Sequence, residues 1–399
     1  MPQTRFDEIV SREGTDALAF ARKRHAVPED ATPLWIADMA FRAPEAVTSA
    51  LAERVEHGIF GYALPGEAYF EALAGWFGRR HGWTVDTAAA VPTRGVVHAL
   101  YLTLQALTEP GAGVIIQPPV YAPFFEAVNN TGRRVLTNPL VRAGRGYEID
   151  FDQFEAQARQ AEAFILCSPH NPVGRVWTRA ELERMAEICL RHSLWIISDE
   201  VHADFVYPGR RHIVTATLDS AVDAATVTCT APSKTFNLAG LQLANVFVPN
   251  RDARRRIKAA YAAQGLSQHP ALGLVACQAA YGGAADAWVD QLVAYLDRTM
   301  TLIESRVAAG LPGVRFDRPE GTYLAWLDFS ELGLDGPALH GLVVERARVW
   351  LSDGPGFGPG GEGFQRLNAA VPHRVLDAAF DRLETALAEA AARPAPQGG

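Results

Sequence analysis

The sequence is poor in lysine, although it is not poor in positive charge. It contains 37 lysine and arginine residues, of which only three are lysines: Lys23, Lys234 and Lys258. Lys234 lies in the segment TCTAPSKTFNLAGLQLANVFV, residues 228–248, among small, apolar and hydroxyl residues. A lysine in such surroundings loses hydration that favours its ammonium form, so the neutral amine becomes accessible. Lys234 is therefore the first candidate for a functional side chain.

Several patterns that carry chemistry are absent from the sequence. The four cysteines show no CxxC spacing and the eleven histidines show no HxxxH or HExxH pair, which argues against a metal site. No apolar run approaches the roughly 20 residues of a membrane span, and no apolar secretory signal follows Met1. All four cysteines lie in apolar segments, which predicts buried free thiols in a reducing, cytoplasmic compartment: Cys167, Cys189, Cys229 and Cys277.

Charge and length exclude further classes. The net charge of −8 argues against a nucleic-acid surface, which needs a basic patch. A chain of 399 residues is long for one compact domain, so two domains are expected. We expect an N-terminal segment, 1–45, packed with the small domain, a large domain, 46–285, a small C-terminal domain, 286–392, and a disordered tail, 393–399.

The middle of the chain predicts an α/β fold. Short runs rich in β-forming residues, such as AFILC at 163–167 and LWIIS at 194–198, are apolar on successive residues. This pattern is typical of strands buried on both faces. Segments with helical periodicity separate several of them, which favours a mostly parallel central sheet flanked by helices. The C-terminal part predicts a smaller α+β domain.

Polar residues follow these runs, where ligands bind in α/β sheets. Asn171 follows FILCS, Asp199 and His202 follow LWIIS, Lys234 follows TVTCT, and Tyr121 follows VIIQPP. The segment TRGVVHAL also places a glycine at the start of a predicted helix, where free N–H groups favour an anion. A lysine, a carboxylate and an anion cradle fit a ligand with an aldehyde, a basic ring nitrogen and a phosphate. Pyridoxal 5′-phosphate (PLP) has all three groups.

Several motifs resemble a known family. SPHNPVG, SDEVHADF and PSKTFNLAGL resemble the motifs of the fold-type I, class I/II aminotransferase superfamily of PLP-dependent enzymes. WIADMAF, HGIFGYALPG and FQRLNAAVP are similar to those of its cystathionine β-lyase branch, typified by MalY and PatB. The match runs in order from about Trp35 to Pro372. The resemblance implies a fold-type I PLP-dependent fold and a homodimer with shared active sites.

The resemblance also implies roles for individual residues. Lys234 matches the lysine that bonds the cofactor aldehyde, Asp199 the carboxylate that keeps the pyridine nitrogen protonated, and Tyr121 the aromatic residue stacked on the ring. Arg366 matches the arginine that grips the substrate carboxylate, with Asn171 and Ala37 as the other implied substrate contacts. Asn171 and His202 are the implied contacts of the cofactor's ring oxygen. The implied phosphate contacts are Gly95, Val96 and Ser233, together with Tyr62 from the neighbouring subunit.

Three positions depart from the pattern. Gln242 replaces an arginine and Ala231 a serine that many aminotransferases place against the phosphate, and Ala40 replaces the second aspartate of the branch motif ADMDF. Phosphate binding must then depend on backbone amides, Ser233 and Tyr62.

Each assigned residue also has a purely structural alternative. Lys234 could extend to the surface, Asp199 could cap a helix, and Asn171 could belong to an ordinary Asn-Pro turn. His202, Tyr121 and Tyr62 could be packing residues, Arg366 a structural ion pair, and Gly95 a simple helix start. The glycine-rich segment GFGPGGEG, residues 356–363, lacks the context of a dinucleotide loop. We interpret it as an active-site loop leading to Arg366.

The implied activity is β-elimination from cystathionine or another L-cysteine S-conjugate, giving a thiol, pyruvate and ammonia. Aminotransfer remains the alternative, because nearly the same side chains serve both outcomes. An enzyme that processes a bulky S-conjugate in a specialised pathway is a variant of the first hypothesis. A PLP-dependent transcription regulator is disfavoured, since only about thirty residues precede Trp35.

Overall fold

The computed structural model describes residues 4–144, 146–266 and 268–392. The predicted tail, 393–399, lies outside the described residues. No helix in the described ranges combines the length and the apolar character that a membrane span requires.

The strands of the described residues are numbered β1 to β15 in chain order. They are Thr32–Pro33, Ala90–Thr93, Gly113–Ile116, Arg134–Thr137, Val141–Ala143, Gly146–Glu148, Ala161–Cys167, Trp195–Asp199, Thr226–Thr230, Ala244–Phe247, Arg315–Phe316, Leu324–Asp328, Val349–Trp350, Ser352–Asp353 and Phe364–Asn368.

The α-helices of the described residues are numbered α1 to α13. They are Glu45–His57, Glu67–His81, Val96–Leu107, Pro123–Asn130, Phe151–Ala158, Arg179–Arg191, Ser220–Ala225, Pro232–Thr235, Arg251–Ala263, Ala271–Tyr281, Asp286–Gly310, Gly336–His340 and His373–Ala392.

A seven-stranded sheet forms the centre of the molecule. Its order is β2-β10-β9-β8-β7-β3-β4, and β10 is antiparallel to both of its neighbours while the pairs from β9 to β4 are parallel. The predicted α/β fold with a mostly parallel sheet is confirmed. The two runs quoted above, AFILC and LWIIS, form most of β7 and β8; β2 was not predicted.

Alternation along β7 explains why these runs are apolar on successive residues. Phe164 and Leu166 belong to one buried cluster, which includes residues of α5 and α6. Ile165 and Cys167 belong to a second cluster, which includes residues of α3 and α9. Both faces of the strand are therefore covered by helices, and burial of each such large side chain contributes about 1.5–3 kcal/mol.

A second sheet, of order β11-β12-β15-β14, is antiparallel throughout. Strands β11 and β12 pair as a hairpin within the segment VRFDRPEGTYLAWLDF. The N-terminal segment joins this part of the molecule, because β1 pairs with β13 and the amide of Asn368 donates to the carbonyl of Leu34 at 2.8 Å. Helix α11 begins at Asp286, next to the predicted boundary at 285; the division into domains stays a prediction.

Gly174 joins the loop after β7 to the segment before β12. Its carbonyl accepts hydrogen bonds from the amides of Glu320 at 2.8 Å and Gly321 at 3.0 Å. Its φ is +73°, and a Cβ at this position would lie 2.3 Å from the Cβ of Pro319. Only glycine permits both this backbone conformation and this close approach. The loop that carries Asn171 is thereby fixed against the chain that leads into the second sheet.

We predict that Gly174→Ala lowers the free energy of unfolding by about 2–5 kcal/mol, because it adds overpacking to the strain of a positive φ. Gly209 is the matched control, since its φ is +90° and a Cβ there would meet nothing within 4 Å. Gly209→Ala should cost only about 1–2 kcal/mol. Urea unfolding of both variants measures the difference, and equal losses would contradict the contact with Pro319.

Candidate active site

The three central parallel strands bring the predicted residues to one edge of the sheet. Cys167, the last residue of β7, pairs with Asp199, the last residue of β8, and Asp199 pairs in turn with Cys229 of β9. Asn171 follows β7, Asp199 ends β8, and Lys234 follows β9 in the short helix α8. The expected convergence of these loops is therefore present, and it follows from strand register alone.

Lys234 is held by a backbone carbonyl from the N-terminal segment. Its Nζ donates to the carbonyl of Ala37 at 2.6 Å. Burial lowers the pKa of Lys234 to about 8, and the positive charge of Arg366 lowers it further, while Asp38 and Asp199 oppose the shift. A substantial fraction of the neutral amine is thus available near physiological pH, as the sequence predicted from its apolar surroundings.

Asp199 is almost fully buried, with 5% of its surface exposed. Burial raises its pKa to about 7, although the amide of Val201, which donates to Oδ1 at 3.1 Å, and the charge of Lys234 both lower it. A carboxylate in this position gains from a cationic partner, because such a partner favours the ionised form. A protonated ring nitrogen is a partner of that kind.

Arg366 connects the second sheet to the loop after β7. Its Nη1 donates to Oδ1 of Asn171 at 3.1 Å, and its Nη2 donates to the carbonyl of Trp35 at 2.8 Å. Its guanidinium stacks over the ring of Phe357, with 4.8 Å to the centroid. The buried Nε has no hydrogen-bond partner in the described structure. This unused donor fits an anionic ligand beside the guanidinium.

Burial lowers the pKa of Arg366 to about 10. The charge of Arg366 reaches several neighbours: it lowers the pKa of Lys234, and it opposes the burial that raises the pKa of Tyr121. Tyr121, which follows β3, is also influenced by Asp199. The four residues therefore share one electrostatic environment.

His202 shares the electrostatic environment of Lys234 and Arg366. It is buried, and its ring packs edge-on against Tyr323 with 5.5 Å between centroids. Burial lowers the pKa of His202 well below its usual value, and Lys234 and Arg366 lower it further. The ring is therefore neutral, and its Nδ1 has no partner among the described residues. A neutral imidazole with a free nitrogen can hydrogen-bond one oxygen of a ligand.

Sequence reasoning missed the residues that hold the segment of Ala37. The hydroxyl of Tyr323 donates to the carbonyl of Ala37 at 2.9 Å, so this carbonyl accepts from two side chains. Nδ2 of Asn368 donates to the carbonyls of Ile36 at 2.9 Å and Asp38 at 2.6 Å. Asn368 stands in the quoted motif FQRLNAAVP, but nothing local indicates that its partners lie more than 300 residues away.

The predicted phosphate contacts lie at two helix starts. Gly95, with φ +144°, precedes α3, and Val96 is its first residue. Ser233 lies in α8 beside Lys234. The first N–H groups of a helix have no partner within it, so α3 offers free donors to an anion. That these residues bind one phosphate stays a prediction.

Tyr62 does not join the cluster around Lys234 within this chain. It is 92% exposed, which leaves no packing role for it here. It lines a cavity of about 810 Å³ together with Arg94 and Gln242.

Two of the departures noted in the sequence, Ala231 and Ala40, lie in sheltered surroundings. Ala231 is buried. Ala40 donates its amide to the carbonyl of Ala370 at 2.9 Å and lines a mostly apolar cavity of about 240 Å³. The remaining acid of the motif, Asp38, is held by two hydrogen bonds from Arg12, at 3.2 and 2.7 Å.

All four cysteines are buried and free, as predicted. No cluster of three or more potential metal ligands occurs within the described ranges.

We predict that, in the cofactor-free protein, the stability of Asp199→Asn relative to wild type increases as pH rises from 4 to 7. An aspartate ordinarily has a pKa of 3.8, whereas burial raises the pKa of Asp199 in the folded protein to about 7. The folded protein therefore keeps a proton that the unfolded chain loses in this pH range. Wild-type stability therefore falls with rising pH in this window, by a total on the order of 2–4 kcal/mol, and the variant lacks this loss.

Chemical denaturation at several pH values between 4 and 7 measures this difference. Asp30, whose side chain is 70% exposed, provides the control Asp30→Asn. A stability difference between wild type and Asp199→Asn that stays constant with pH would refute the raised pKa.

Comparison with known proteins places this site in a family. The family model described as aminotransferase class I and II matches residues 32–383. The cystathionine β-lyase PatB of Bacillus subtilis is 41% identical over 96% of this chain and 99% of its own length. The crystal structure of cystalysin from Treponema denticola, which contains pyridoxal 5′-phosphate, superposes with a TM-score of 0.93 at 34% identity, covering 96% of this chain and 99% of that one.

The structure of the PLP-bound C–S lyase from Staphylococcus hominis superposes with a TM-score of 0.89 at 31% identity, covering 96% of this chain and 98% of that one. The fold-type I fold that the motifs implied is thereby confirmed. The chain belongs to the class I and II aminotransferase family, in the branch that contains PatB.

Proposed function

We propose that this protein is a PLP-dependent carbon–sulfur β-lyase that acts on cystathionine or another L-cysteine S-conjugate. The observation that carries the proposal is the position of Lys234 and Asp199 at one edge of the central sheet, with an amine whose pKa is lowered to about 8 and a buried carboxylate. The similarity to PatB over nearly the whole chain supports the choice of reaction.

The residues fit the cofactor. Lys234 offers an amine to its aldehyde, Asp199 offers a carboxylate to its ring nitrogen, and the free N–H groups of α3 offer donors to its phosphate. His202 and Asn171 are available to its ring oxygen, with Tyr121 at its face. When bound, PLP supplies an aldehyde that combines with the substrate amine and a ring that withdraws electrons from the substrate α-carbon.

The chain's own residues then position the substrate and move its proton. Arg366 offers the N–H groups of its guanidinium, including the unpaired Nε, to the substrate carboxylate, and the ring of Phe357 packs against the guanidinium. Lys234 takes the α-proton at Nζ, since the lowered pKa makes the neutral amine available. The sulfur leaves the β-carbon with its bonding electrons as a thiolate, and hydrolysis of the remaining fragment gives pyruvate and ammonia.

Aminotransfer is the second candidate. It is favoured by the matching family model and by the same lysine, carboxylate and arginine. The two activities differ in the fate of the β-carbon substituent, and no side chain described above discriminates between them.

We infer that the active protein is a homodimer with shared sites, in which Tyr62 reaches the phosphate in the neighbouring subunit. Support comes from a run of exposed apolar residues, which suits burial against a second copy: Val55, Ile59, Phe60, Tyr62 and Leu64 are 55–92% exposed. Four free, buried cysteines support a cytoplasmic location, and the net charge of −8 is consistent with a partner other than nucleic acid.

The test of the lyase activity is incubation with L-cystathionine and PLP without a keto acid. We expect a thiol and pyruvate in equal amounts. Lys234→Ala should lower kcat by at least about 10²–10⁴, because it removes the base. Lys258→Ala is the matched control, since Lys258 is exposed on α9, and it should keep full activity. Amino transfer to an added keto acid, with no thiol released, would instead establish the aminotransferase.

Shared sites can be tested by complementation. Lys234→Ala and Tyr62→Ala chains should each be impaired, and a co-expressed mixture should recover up to about a quarter of wild-type activity. The recovery arises because one site of each mixed dimer retains both side chains. Light scattering of the mixture checks the dimer, and a mixture no more active than its separate components would rule out a contribution of Tyr62 across the subunit boundary.

A further inference from the structure

Two acid–histidine pairs have their acids close in the chain to Asp199 and His202, and the mechanism uses neither pair. Nε2 of His212 bonds to Oε2 of Glu200 at 2.8 Å, and Nε2 of His81 bonds to Oδ1 of Asp204 at 2.9 Å. The two histidine rings pack edge to face, with 5.6 Å between centroids. Glu200 and Asp204 both belong to the motif SDEVHADF, which also carries Asp199.

Both carboxylate oxygens of Glu200 accept hydrogen bonds. Oε1 of Glu200 accepts from the hydroxyl of Ser198 at 2.8 Å and from the amide of Thr215 at 3.0 Å. Because this carboxylate only accepts, Nε2 of His212 carries the proton that it shares with Glu200. Glu200 is 2% exposed and His212 5% exposed. Burial raises the pKa of Glu200, but His212 and the other donors bring it below its ordinary value.

The position of this buried anion matters for Asp199, the next residue in the chain. Burial is the largest cause of the raised pKa of Asp199, and the charge of Glu200 raises it further. An uncompensated charge at Glu200 would therefore drive Asp199 toward its protonated form. The hydrogen bond from Nε2 of His212 stabilises this anion.

The surrounding charges are limited to a few groups. His212 faces Glu200 and the ring of His81. Asp204, beyond His81, accepts from the hydroxyl of Thr235 at 2.5 Å and is influenced by Arg80. Glu200 also acts on the buried thiol of Cys229, whose pKa burial raises. Within this group, His212 alone donates a ring N–H to Glu200.

We propose that His212 is a positioning residue: acting through Glu200, it keeps Asp199 ionised and so keeps the proton on the ring nitrogen of the bound cofactor. This inference rests on the proposed function. If the pair were only structural, substituting Glu200 as well as His212 would lower activity further and would not restore the protonation of the ring nitrogen.

The test uses the holoenzyme with PLP labelled with ¹⁵N in the ring, whose nitrogen chemical shift reports its protonation. In His212→Asn, Glu200 loses its compensating donor, so the nitrogen signal should move toward the unprotonated form. A change of one pKa unit corresponds to tenfold in the protonation ratio, so kcat/KM should fall about tenfold or more. The double variant His212→Asn with Glu200→Gln removes the charge as well and should return the signal toward wild type.

The matched control is His192→Asn, which disrupts a surface pair with Glu155 at 3.5 Å and should leave the nitrogen signal unchanged. An unchanged signal in His212→Asn, or no recovery in the double variant, overturns the proposal. If His212→Asn does not fold, Glu200→Gln alone decides: the nitrogen should stay protonated, and loss of its proton refutes the electrostatic role. A wild-type protein that binds no PLP would overturn the proposed function itself.

Discussion

The site depends on removing a lysine and an aspartate of opposite charge from water at one edge of the central sheet. Burial destabilises the charged forms of both Lys234 and Asp199, which lowers the pKa of the amine and raises the pKa of the acid. Each opposes the shift of the other, so the pair partly offsets the cost of its own burial. The parallel register of β8 and β9 places both groups at one edge of the sheet. The chemistry proposed above therefore follows from strand order as much as from residue type.

Residues of the second sheet hold the N-terminal segment beside Lys234. Arg366 and Asn368 of β15 and Tyr323 before β12 all bond to backbone carbonyls of residues 35–38. Arg366 also reaches Asn171 in the loop after β7. The N-terminal segment is thus held between the two sheets, and any movement of one sheet relative to the other would be transmitted to the carbonyl that holds Lys234.

The sequence predicted most of the fold because its signals were local. Runs such as FILC and WIIS became β7 and β8 since their side chains are buried on both faces. Helix α1 ends at His57, because Gly58, its C-cap, takes the left-handed conformation with φ +75°. The short β2, with the sequence AVPT, was missed because it contains a proline, which is atypical of a strand within a sheet.

The site was predicted less completely than the fold, and the reason is distance along the chain. Lys234, Asp199 and Asn171 could be identified because each follows an apolar run. Tyr323 could not, because its partner Ala37 lies 286 positions away and offers only a backbone carbonyl. Glu200 and His212 were also missed as a pair; a buried acid in SDEVHADF was a visible signal, but its partner histidine gives no local indication.

The carbonyl of Ala37 has a particular consequence for how this site tolerates substitution. Position 37 could exchange its side chain during evolution without losing the acceptor that engages Lys234, since every amino acid has a carbonyl. The hydroxyl of Tyr323, by contrast, disappears with a single change to phenylalanine. Residue identity at position 37 is therefore a poor guide to its importance, and the path of the backbone is what selection would preserve there.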